Sequence, residues 1–222
     1  VSAFELAMAR VPATLRLASV TAIVVMVVSV VLGGAAALYP NGLVNRVQQF
    51  VALAGASLPD FWLGLMLIAV FSDWLGVLPT SGTGGLEHMV LPVLVLASRP
   101  IGVMSQVVRS ALLEQLTAPY VASARGKGRS QLGVLVVHAW RNALVPIVAV
   151  GSDQLMQLVS GAVVVEVVFG WPGLGQLSIQ AVTNRDFPVL QVTVILVAVM
   201  VFIVNFLADV AFAVIDPRIR YS

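Results

Sequence analysis

The sequence predicts an all-α protein that crosses a membrane five times. Three observations carry that expectation. Of 222 residues, 59% are hydrophobic and 10% are charged, against about 25% charged in an ordinary soluble domain. Two twenty-residue runs, Ser19 to Leu38 and Val189 to Ala208, hold no charge, and ~20 apolar residues are what an α-helix needs to cross ~30 Å of hydrocarbon. Segments of ~10 residues with alternating hydrophobicity, the mark of a membrane barrel, are missing from the sequence.

The opening stretch VSAFELAMARVPATLRL carries Glu5 early, and the apolar run after it exceeds a signal-peptide core of about 7–15 residues; it reads as an uncleaved opening helix. Spans are expected at Ser19–Leu38, then at 50–71, 90–113, 143–168 and 189–208. Residues 75–92, with four glycines, two prolines and no lysine or arginine, read as an outer loop. Residues 170–188 read as a longer outer loop with an interfacial tryptophan and one short surface helix, and the glycines of GWPGLG as loop turns. With no internal boundary or repeat, residues 1–222 form one transmembrane domain whose longest cytoplasmic loop is 116–141.

Basic residues set the expected orientation, because cytoplasmic loops carry the excess of Lys and Arg. Arg46, Arg109, Arg125, Lys127, Arg129, Arg141, Arg218 and Arg220 fall on one side, and Arg10, Arg16 and Arg185 on the other. That places the loop 116–141 and the C-terminus in the cytoplasm. The N-terminus then faces outward, and an earlier helix is expected before Val1.

Little in the chain can do chemistry. There is no cysteine, and His88 and His138 stand fifty residues apart, so no metal-ligand spacing exists. Gly126-Lys127-Gly128 lacks the G-x-x-x-x-G-K-[ST] spacing that cradles nucleotide phosphates. A membrane hydrolase would need a serine and a histidine at membrane depth, and both histidines fall at interfaces. No cofactor and no nucleic acid is expected on this chain.

What remains is polarity at depth. Ionisable groups inside spans are costly and face a bundle interior or a water-filled path. Asp60, Arg99 and Asp153 each lie nine or ten residues into a span, about 13–15 Å deep. In the third span Ser98, Gly102, Ser105 and Arg109 recur at helical spacing with Arg99 and Gln106 beside them, and in the fourth Asp153, Gln157 and Ser160 do the same. Either these residues line a path, with Arg99 paired to Asp60 or Asp153, or they are helix-helix contacts of about 0.6 kcal/mol each.

The cytoplasmic loop adds a pattern. Thr117 and Pro119 open a short helix that Gly126 and Gly128 break. Ala122-Ser123-Ala124 followed by Gly128 resembles the E-A-A triplet and glycine of the membrane subunits of bacterial ABC importers. The segments RVPATLRLA, SLPDFWLGL, YVASARGKG, HAWRNALVP, EVVFGWPGLG and DPRIR, in that order, resemble the first permease of dipeptide and oligopeptide importers. Ala122 stands where the general motif has glutamate, and Ala139-Trp140-Arg141 replaces its Ile-x-Leu-Pro ending.

The resemblance implies a permease subunit in the inner membrane that forms half of a translocation path. It implies coupling to an ATPase through residues 120–131, with Tyr120, Ala122, Ser123, Ala124, Arg125, Lys127 and Gly128 in the contact. Implied partners are a second homologous permease, two ATPase subunits that hold the ATP and Mg, an extracytoplasmic binding protein and membrane lipid. The family has six helices, so the first is expected to be lacking here. Nickel, glutathione or another small solute stands as alternative cargo, and a stand-alone ion-coupled transporter as the alternative class.

Overall fold

The computed structural model describes residues 2–118 and 140–215. Among the described residues every regular element is helical: α1 (Ala3–Met8), α2 (Val11–Leu38), α3 (Leu43–Ser57), α4 (Asp60–Leu67, continuing as a wider π-helical stretch over Ile68–Trp74), α5 (Glu87–Thr117), α6 (Trp140–Val168), α7 (Leu174–Asn184) and α8 (Phe187–Ile215). Local chemistry sets the breaks. Ser2 and Glu5 form a reciprocal capping box that starts α1, so Glu5 caps a short helix. A new helix begins at Val11, with Pro12 in its first turn, where a missing N–H costs nothing.

Four helices are long and apolar enough to cross a membrane, within Ala3–Leu38, Glu87–Thr117, Asn142–Val168 and Phe187–Ala208. The fifth expected span, 50–71, is two helices. α3 and the Asp60–Trp74 segment are bent by 110° where they meet. Pro59 is the cause: it lacks an N–H and drives the residue before it out of the α region, so α3 ends at Ser57 and α4 starts after an extended Pro59 with φ −65° and ψ 136°. Five spans are reached when this broken pair counts as one.

The chain divides into two compact units: Val1–Val24, Ser57–Ser98 and Leu155–Asn205 form the first, and Val25–Ala56, Arg99–Gln154 and Phe206–Ser222 the second, each taken over its described residues. In the first unit, Leu17 of α2, Leu91 and Val95 of α5, and Leu158, Ala162 and Val165 of α6 share a core with Phe169 and Trp171. A second cluster joins Ala7, Val159, Met200 and the buried face of α7, Leu174, Leu177 and Ala181. Trp171, expected at the interface, follows the end of α6 and is 2% exposed within the chain. Its indole N–H donates to the carbonyl of Ala13 at 2.9 Å, the kind of partner that lets a tryptophan be buried.

Close helix contact characterises the second unit. A Cβ on Gly33 would lie 2.5 Å from the carbonyl oxygen of Ser105 and 2.8 Å from Cβ of Val108, whereas one on Gly34 would meet only Leu112, at 3.9 Å. Ser29 Oγ reaches the carbonyl of Ile101 at 3.5 Å. Numbers rise together along this contact, so α2 and α5 run parallel. Along α3 they fall: Ala52 Cα lies 2.9 Å from a Cβ built on Gly102, and Gln48 Nε2 donates to Ser105 Oγ at 3.2 Å. That antiparallel seam, with parallel α2 and α5 on either side of it in sequence, fits a chain that alternates direction at successive crossings.

Candidate functional site: polar faces of two spanning helices

Which spanning helices show polarity on their open side is decided by sequence periodicity. α8 shows none over its central turns: Val194, Ile195, Val199, Phe202, Ile203, Phe206, Leu207 and Val210 are its large exposed residues. α2 exposes Ile23, Met26, Val27, Val28 and Val31. Both are surfaces for lipid. α5 differs, exposing Arg99, Gln106, Ser110, Glu114 and Thr117 while burying Met104, Val108 and Leu112. α6 exposes Asp153, then Gln157 and Ser160. A charge turned toward hydrocarbon at mid-helix costs about 2.5–3.5 kcal/mol on insertion scales, so these two faces belong against water or protein.

Arg99, Gln106 and Asp153 lie in the second unit, and Asp60 and Gln157 in the first. Asp60 is half-buried in the first turn of α4, where a carboxylate suits the positive end of the helix dipole. Among the described residues no ion pair joins Arg99 to Asp153; each presents its charge on an exposed face. The residues Tyr120, Ala122, Ser123, Ala124, Arg125, Lys127 and Gly128, and His138, lie outside the described residues.

Two buried polar arrangements went unread in the sequence. In the first unit, Glu166 is fully buried near the end of α6. Its Oε1 accepts from Thr14 Oγ1 at 2.7 Å, and its Oε2 accepts from the backbone N–H of Gly175 at 2.7 Å and of Gln176 at 3.3 Å. Thr14 Oγ1 in turn accepts from the N–H of Leu174 at 2.9 Å. The carboxylate thus caps α7 from another helix, satisfying N–H groups that a helix start leaves open.

Gly173 and Gly175 make this possible. A Cβ on Gly173 would collide with the Glu166 carboxylate, and one on Gly175 would lie 2.5 Å from Val163 Cα. Only Gly170 in this stretch serves a left-handed turn, at φ +59°. A carboxylate inside the apolar run AVVVEVVFG, seven and nine residues before two glycines, was the available signal. The second arrangement is the Asn45 and Gln48 side of α3 against α5, both buried; their three-residue spacing was its trace.

Comparison with known proteins bears on what these faces serve. Residues 29–221 match the family described as "Binding-protein-dependent transport system inner membrane component". The chain belongs to that family. Relatives at this level are the di/tripeptide transport system permease protein DppB of Pseudomonas aeruginosa, 38% identical with 95% of this chain and 71% of that protein covered, and the oligopeptide transport system permease protein AppB of Bacillus subtilis, 37% identical with 98% and 72% covered. The glutathione transport system permease protein GsiC of Salmonella choleraesuis is 40% identical over 86% of this chain and 62% of its own length. A chain of the MetNI methionine ABC transporter, solved in inward-facing conformations, shares the fold with a TM-score of 0.75 at 18% identity, over 96% of this chain and 97% of that one. This binding-protein-dependent permease is a multi-pass membrane protein and a transport subunit, not itself an enzyme. Its family serves transport systems that depend on a binding protein.

Proposed function

We propose that this chain is a permease subunit of an ATP-driven importer for di- or oligopeptides, with the polar faces of α5 and α6 lining its half of the path. The observation that carries the path is the contrast between α5, which exposes Arg99, Gln106, Ser110 and Glu114, and α8, which exposes large apolar residues over the same kind of span. A zwitterionic peptide needs both charge signs along its route, and Arg99 and Asp153 supply them. The peptide class is supported by DppB and AppB, permeases of a di/tripeptide and an oligopeptide transport system, and glutathione, itself a peptide, by GsiC.

In this reading a second homologous permease completes the path, two ATPase subunits bind ATP and Mg, and an extracytoplasmic binding protein delivers the cargo. No cofactor sits on this chain. The loop 116–141 and the C-terminus face the cytoplasm, in keeping with eight basic residues on that side against three on the other. Tyr120, Ala122, Ser123, Ala124, Arg125, Lys127 and Gly128 make the ATPase contact.

Two measurements test this. Replacing residues 122–128 by a Gly/Ser segment of equal length is expected to abolish co-purification with the ATPase subunits while the chain still inserts; retained co-purification rejects the contact. Arg99→Gln in proteoliposomes is expected to raise the KM for peptide uptake about tenfold, the loss of one charged hydrogen bond of ~1.5 kcal/mol. Unchanged uptake kinetics in Arg99→Gln and Asp153→Asn would remove α5 and α6 from the path.

A further inference from the structure

The α3–α5 seam of the second unit is unusual in what it leaves unmet. Gln48 is fully buried and Asn45 is 8% exposed. Gln48 Nε2 donates to Ser105 Oγ, Asn45 Nδ2 donates to the carbonyl of Pro40 at 2.7 Å, and Ser105 Oγ donates to the carbonyl of Gly102 at 3.1 Å. Yet Gln48 Oε1, Asn45 Oδ1 and Arg109 Nε are all buried without a hydrogen-bond partner among the described residues. Buried polar atoms are nearly always paired, so these orphans need a cause. Two acceptors stand on α3, and the donor stands on α5 four residues, one turn, beyond Ser105.

We propose that α3 slides against α5 by one helical turn during the transport cycle, carrying Gln48 from Ser105 to Arg109, where Oε1 accepts from the guanidinium. This rests on the importer reading above. The seam is built to permit it. Gly102 brings the backbones together at Ala52, and Gly55 follows Ala52 on the same buried face of α3, so the shifted register sets glycine against glycine and alanine against Ser105. Small residues at such contacts allow close approach without interlocking. A shift of one turn, about 5.4 Å, is a known way for packed helices to hold two discrete states.

The absence of cysteine from the chain makes the test direct. Spin labels are placed at Leu53→Cys on α3 and Thr117→Cys on α5, both exposed positions outside the seam, and the labelled chain is assembled into the full importer in nanodiscs. Residue 53 lies near the level of 101, so the labels are offset along the axis by about 24 Å. Trapping with ATP and vanadate is expected to shorten the separation by about 5 Å, and Arg109→Met in the labelled protein is expected to abolish the shortening. A change below half a turn, about 2–3 Å, overturns the slide, and a full shortening that survives Arg109→Met overturns the assignment of Arg109. Loss of ATP-driven uptake in the unlabelled parent would count against the importer reading instead.

Discussion

Glu166→Ala is expected to cost about 3–5 kcal/mol of stability, the range for removing one member of a buried, hydrogen-bonded charged set. The substitution strips the acceptors from the N–H groups of Gly175 and Gln176 and from the hydroxyl of Thr14 at once, and each orphaned buried donor carries its own penalty of about 1–3 kcal/mol. Glu166→Gln is expected to lose far less, about 1 kcal/mol. Its carbonyl can face the two amides while its NH2 donates to Thr14 Oγ1, which has a lone pair left beside the bond from Leu174. Denaturant titration of the purified protein in mixed micelles, following Trp171 fluorescence in a background where Trp62, Trp74 and Trp140 are phenylalanine, separates the two. Midpoints equal to the parent's in both variants would show that the carboxylate does not hold α7.

Gly33 and Gly34 give the second large effect, as a contrast between neighbours. Gly33→Ala places a methyl group against the backbone of Ser105, which cannot turn aside, so α2 and α5 must separate. The expected cost is about 1–3 kcal/mol, the range for overpacking a close-packed contact. Gly34→Ala meets only a leucine methyl at ordinary contact distance and removes a helix-interior glycine, which is expected to stabilise by about 0.5–1 kcal/mol. The two variants therefore move the unfolding midpoint in opposite directions. If both move it the same way, α2 and α5 do not touch at Gly33.

The spanning helices were legible because lipid imposes a coarse rule, and a run such as Val189–Ala208 has no other use in a chain. The break at Leu58-Pro59 was not, because hydropathy averages over a proline that backbone sterics cannot ignore. Arg99, Gln106 and Asp153 could be picked out by their cost in a span, but periodicity grouped Arg99 and Gln106 with Gly102 and Ser105, which the structure buries. Their pairing could not be read, since no spacing within one helix says what a side chain on another does. Glu166 escaped for a different reason: besides Thr14, its partners are backbone N–H groups, which every residue type but proline carries. The burial of Trp171 was hidden in the same way, because its partner is the carbonyl of Ala13.

The break that divides α3 from α4 also bears on how the protein is made. At 15 residues, α3 rises about 22 Å, short of the ~30 Å hydrocarbon layer, and the open carbonyls at its end cannot rest in lipid. α8, with its unbroken apolar run, can partition from the translocon unaided. The α3–α4 pair cannot, and its stable placement waits on α5, which is synthesised after it. The segment that carries Gln48 is therefore expected to settle only once α5 has been made, and substitutions there are expected to surface first as losses in the amount of inserted protein.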